Sequence, residues 1–62
     1  MAHIEAAFFD RRFDDPEFSK KMVEALTQAV ASVLGDDAGN DTSVILRSVQ
    51  PSHWGYRGTL LG

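Results

Sequence analysis

The chain has 62 residues and a mass of 6.8 kDa, room for one small domain, 1–62, and no cysteine, which excludes disulfides and thiolate zinc sites. Nine acidic against six basic residues give a net charge of −3 and a pI near 5.0, which argues against a partner bound through nucleic-acid phosphates. No apolar run approaches the roughly 20 residues of a membrane span, and Met1-Ala2-His3-Ile4-Glu5 lacks the basic stretch and apolar core of a signal peptide, so a cytoplasmic location is expected. His3 and His53 are too few and too far apart in sequence for a metal cage, and no cofactor or metal is expected.

The first predicted element is a strand over Ala2 to Phe9. Ile4, Ala6 and Phe8 fall on one face, and His3, Glu5, Ala7 and Phe9 on the other. Its second half, Ala6-Ala7-Phe8-Phe9, is apolar on both faces, as in strands buried on both sides. Asp10-Arg11-Arg12-Phe13-Asp14 follows as a polar loop with one aromatic.

Asp15 is placed to cap a helix, since its carboxylate can accept from free first-turn amides. Pro16 suits the first helical position and Glu17 complements the helix dipole. The helix is predicted from Pro16 to about Leu34, roughly 28 Å long. Phe18, Met22, Leu26 and Val30 form its core stripe, and Lys20, Lys21 and Glu24 its solvated face. Gly35 supplies the C-terminal stop, and Asp36-Asp37-Ala38-Gly39-Asn40-Asp41 reads as an acidic loop.

Thr42 to Val49 is the second predicted strand, with Val44 and Leu46 on one face and Ile45 and Val49 on the other. Pro51 ends it. Ser52-His53-Trp54-Gly55-Tyr56-Arg57-Gly58 reads as a compact aromatic loop, and Thr59-Leu60-Leu61-Gly62 as an apolar tail that could form a brief strand. Strand, helix and strand define a β-α-β unit in the α/β class, with parallel strands and a right-handed crossover. One helix covers only one face of a two-stranded sheet. The 44% hydrophobic content and the apolar residues on the second face therefore predict an oligomer.

Two stretches, Met1-Ala2-His3-Ile4-Glu5 and Pro51-Ser52-His53-Trp54-Gly55-Tyr56-Arg57-Gly58, spaced around one amphipathic helix, resemble the 4-oxalocrotonate tautomerase family of the tautomerase superfamily. The resemblance implies a β-α-β subunit with a short C-terminal hairpin, assembled into a hexamer as a trimer of dimers. It implies an isomerase that interconverts enol and keto forms of small 2-oxo acids or related carbonyl compounds. In that family the initiator Met is removed, and an N-terminal proline, its amine desolvated in an apolar pocket between subunits, is the general base. Arginines hold the substrate's carboxylate and carbonyl.

Carried over residue by residue, the pattern is incomplete. Ala2 stands in the proline's place, so removal of Met1 would leave a primary α-amine, with an ordinary value of about 7.7–8.0. The loop arginine aligns with Arg12, or with Arg11 after a one-residue slip. Trp54 matches the aromatic that keeps the pocket dry. The second family arginine falls on Ser43; Arg47 shares that face but lies roughly 13 Å further along the strand, and Arg57 replaces a usual glycine. The expected site is thus Ala2 and Arg12 as catalytic residues with Arg11 and Trp54 binding substrate. The rival expectation is a non-catalytic subunit of a hetero-oligomer whose proline-bearing paralogue supplies the missing groups. His53 and Arg57 are expected on the surface.

Overall fold

The computed structural model describes all residues, 1–62. Strand β1 (Ala2–Phe9) leads through a 3-10 turn (Asp10–Asp14) to helix α1 (Phe18–Leu34). A short helix α2 (Asp36–Asn40) precedes strand β2 (Thr42–Val49). A 3-10 turn (Pro51–His53) and a hairpin of β3 (Gly55–Tyr56) and β4 (Thr59–Leu60) complete the chain. β1 and β2 pair in parallel from Ala2↔Thr42 to Phe9↔Val49, as the β-α-β reading requires. No helix is long and apolar enough to cross a membrane.

The start of α1 shows why the predicted and observed boundaries differ by two residues. Asp15 is extended, and its Oδ1 accepts the Glu17 amide at 2.9 Å, an Asx turn ahead of the helix, whose own N-cap, Glu17, makes no side-chain cap bond. The Phe18 amide, however, closes a shorter turn onto the Asp15 carbonyl at 3.1 Å, and the first four-residue bond runs from the Lys21 amide to the Glu17 carbonyl at 3.0 Å. Pro16 and Glu17 thus form a tight lead-in turn rather than regular helix. At the other end Gly35 takes φ 95°, accessible at low cost only to glycine, and its amide donates to the Ala31 carbonyl at 2.8 Å.

The acidic stretch expected as a loop instead winds into α2. Its one fully buried residue, Gly39, explains how. A Cβ at Gly39 would lie 2.6 Å from Ala31 Cβ, so α2 can fold back on α1 only because that atom is missing. Thr42 Oγ1 then donates to the Ala38 carbonyl at 2.8 Å, tying the end of α2 to the start of β2.

The region after β2 forms the short C-terminal hairpin that the resemblance implied. Gly55 pairs with Leu60 and Tyr56 with Thr59 around a two-residue turn at Arg57 (φ 53°) and Gly58 (φ 81°). Two successive positive φ values make this the type I′ hairpin turn, whose twist matches that of its strands. The Leu61 amide donates to the Trp54 carbonyl at 3.0 Å, anchoring the tail.

Packing is one-sided. α1 lies over the face of the sheet bearing Phe8, where the Phe8 and Phe18 rings meet edge-on at 5.2 Å. The opposite face carries His3, Glu5, Ile45 and Arg47, and Ile45 is 43% exposed. No hydrophobic side chain is fully buried in the single chain. Its radius of gyration is 14.0 Å, against about 10.6 Å for a globule of this length. Its accessible surface of 4707 Å² likewise exceeds the about 3,950 Å² typical of its mass. A lone subunit therefore leaves much of its apolar surface wet.

Candidate functional site

The sheet has two chemically different ends. At its start, the Ala2 nitrogen is a backbone amide that donates to the Asp41 carbonyl at 3.2 Å, and the Met1 amine lies 3.3 Å from Asp41 Oδ2. Both members of that ion pair are well exposed, so it contributes little stability. Beside them, on the face without the helix, His3 pairs with Ser43 in the strand register, and His3 Nδ1 lies 3.2 Å from Ser43 Oγ. Ser43, where the resemblance expects an arginine, therefore has its own partner. Arg47 lies further along that face and pairs with Glu5 rather than pointing back toward Ser43.

At the far end, Phe9 and Phe8 point to opposite faces because consecutive strand residues alternate. Arg11 and Arg12 follow in the 3-10 turn, and both line an open groove with Phe8, Asp15, Phe18 and Met22. The groove lies on the helix side. Its aromatic wall is fixed, since Phe18 is held edge-on by Phe8 and also by Phe13 at 5.1 Å. Asp15 contributes the one acidic side chain, already bound to the Glu17 amide. Neither Arg11 nor Arg12 forms an ion pair or side-chain hydrogen bond within the chain.

Trp54 lies on the other side of the sheet. Its ring packs on Phe9 with centroids 4.9 Å apart, and it is half-buried. Ala2 lies seven residue steps from Phe9, about 23 Å along the strand. One chain thus brings Arg11 and Arg12 together but does not unite them with Ala2 or Trp54. His53 is exposed in its 3-10 turn, and Arg57 is exposed with its guanidinium 5.4 Å from the centre of the Tyr56 ring. No group of three His, Asp or Glu side chains is arranged to hold a metal ion.

Sequence reasoning overlooked two features. Phe18 and Met22 read as core, yet both also border the groove, and Phe8 joins them across the sheet. The available signal was their spacing: an i,i+4 pair one turn beyond a predicted cap that itself follows two arginines. The His3–Ser43 pair gave no local signal, because 40 residues separate its members and only strand register unites them.

A parallel two-stranded sheet crossed by one helix, with paired loop arginines and a C-terminal hairpin, has the architecture of a tautomerase subunit. A family model described as Tautomerase enzyme matches residues 3–62. The chain belongs to this family, in line with its resemblance to the 4-oxalocrotonate tautomerases. Ala2 falls just outside the matched residues. Searches of curated proteins and of solved structures returned no match.

Proposed function

We propose that this protein is a tautomerase-type isomerase that moves a proton between carbon and oxygen of a small 2-oxo acid or related carbonyl compound. One observation carries the reading: within the family fold, Arg11 and Arg12 stand without carboxylate partners at an apolar-walled groove. Guanidinium groups there can bind a carboxylate and the adjacent carbonyl oxygen, stabilising negative charge that develops on the enolate. The base belongs at the start of β1, where Ala2 contributes an α-amine once Met1 is removed. Trp54, which lies away from the groove in its own chain, would shield the pocket only from a neighbouring subunit. No cofactor is needed for this proton transfer, and a cytoplasmic location belongs to the same proposal.

The site is completed between subunits of a homo-oligomer, a hexamer by family resemblance. The wide, flat shape of the lone chain and its lack of fully buried hydrophobic side chains support that assembly. Sedimentation at micromolar concentration is expected to give a multiple of the 6.8 kDa subunit, and a stable folded monomer would refute it.

A second reading rests on Ala2 and on the His3-bound Ser43, which depart from the family pattern at one end of the sheet. It is a non-catalytic subunit that assembles with a proline-bearing paralogue. One experiment separates the two. The purified chain, its N-terminus established by intact mass, is assayed for ketonisation of an arylenolpyruvate. Acceleration over buffer supports the isomerase. No acceleration, with defined assembly only in the presence of the paralogue, supports the second reading.

A further inference from the structure

We propose that His3 is a second proton-transfer group of the site, acting at the substrate's oxygen, and that Ser43 is the positioning residue that holds its ring. The inference rests on the isomerase reading for its reaction. Enol–keto exchange moves two protons, one at carbon and one at oxygen, and the α-amine of Ala2 serves only one of them. His3 adjoins both departures from the family pattern: Ala2 precedes it in the chain, and Ser43 faces it across the strand pair.

The geometry suits a working imidazole. His3 and Ser43 share the face that α1 leaves open, and His3 Nδ1 lies 3.2 Å from Ser43 Oγ. A hydroxyl can accept a hydrogen bond from Nδ1–H. Nε2 then carries the lone pair of a base. After Nε2 takes a proton, the same Nδ1–H bond persists, so one contact holds the ring in both charge states. Nε2 makes no hydrogen bond within the chain, and His3 is exposed, so a ligand can reach it. Imidazole is the side chain suited to exchanging protons near neutral pH.

The charged groups around the pair are matched with each other. Before it, the Met1 amine lies 3.3 Å from Asp41 Oδ2; beyond it, Glu5 pairs with Arg47. No carboxylate pairs with His3, and its one partner is neutral. His53, the other histidine, has no side-chain partner at all and serves as an internal control.

In ketonisation, His3 Nε2 takes the enol O–H proton. The O–H electron pair becomes the second bond of C=O, and the C2=C3 pair takes a proton at C3 from the Ala2 ammonium. Water carries the proton from the imidazolium back to the amine, so nothing else is consumed.

The test uses phenylenolpyruvate and the mass-verified assembly. A protonated ring accepts no proton, so the wild-type rate should fall toward acid pH. His3→Gln should lower kcat by roughly 10²-fold and remove that acid limb. Ser43→Ala should lower kcat by about tenfold, and Ser43→Thr, which keeps the hydroxyl, should restore it. His53→Gln should leave the rate unchanged. Where a variant fails to assemble, the wild type decides. Phenylpyruvate should slow acylation of His3 by diethyl pyrocarbonate severalfold, and not that of His53, as read by peptide mass. His3→Gln keeping the wild-type rate and acid limb would overturn the proposal, and so would phenylpyruvate leaving His3 as reactive as before. Shielding of His3 without turnover of any enol would overturn the isomerase reading and, with it, the proton transfer, leaving His3 as a ligand contact.

Discussion

At the start of the sheet, beside Ala2↔Thr42, polar groups have partners within the chain: His3 meets Ser43, and the Met1 amine meets Asp41. At the far end, beyond Phe9↔Val49, Arg11 and Arg12 face a groove with none. One end is strand paired with strand, whereas the other is a 3-10 turn against the first turns of α1, so the two differ in backbone as well as in side chains. The difference teaches that positions at the two ends of one family fold can vary separately. The loop arginines are kept here and stand unpaired, while the start of the sheet departs from the family pattern at Ala2 and Ser43.

Restoring the altered half gives the largest expected effect. Ala2→Pro, with Met1 removal confirmed by mass, should raise the rate of enol ketonisation by roughly 10²–10⁴-fold, the usual contribution of a well-placed base. An unchanged rate in a correctly assembled variant would show that the start of the sheet is not where the proton moves.

Trp54→Ala probes the far end. Loss of the contact with Phe9 should weaken the folded assembly by up to about 3 kcal/mol, because Trp54 is only half-buried in the subunit. Arg57→Ala should cost less. Equal shifts in the dissociation midpoint would remove Trp54 from any interface.

Smaller effects test the ground between and beyond the ends. Arg57→Asn should stabilise by about 0.5 kcal/mol, since Asn-Gly suits a type I′ turn better than arginine at φ 53°. Thermal denaturation would show it, and a loss instead would mean that the Arg57–Tyr56 contact outweighs the strained backbone. Glu5→Gln removes the exposed pair with Arg47 and should cost at most about 1 kcal/mol, vanishing at high salt. A larger, salt-resistant loss would show that this pair is buried in the assembly.

Much of the fold was legible because its signals are local. Strand alternation in Ala2–Phe9 and Thr42–Val49, the Asp15-Pro16 helix start and the Gly35 stop each need only a few neighbouring residues. α2 was missed because its stability comes from Gly39 lying against Ala31, a contact between segments that periodicity does not report. The C-terminal hairpin, which the family resemblance implied, is present, but the residues alone did not show it, because Arg57 occupies a positive-φ position that glycine or asparagine would have advertised. At the candidate site, Arg11 and Arg12 were visible as charges in sequence. That they share one groove with Phe8, Phe18 and Met22, with Trp54 on the other face, follows from the crossover and strand alternation together.

The central claim, that this protein delivers a proton to carbon in a shaped site, is tested most directly in deuterated water. An arylenolpyruvate is ketonised by the mass-verified assembly, and the deuterium at C3 of the product is located after rapid trapping by reduction. The account predicts label predominantly at one of the two C3 positions, with that preference lost in Arg12→Gln. Equal label at both positions, at a rate no faster than in buffer, would contradict it.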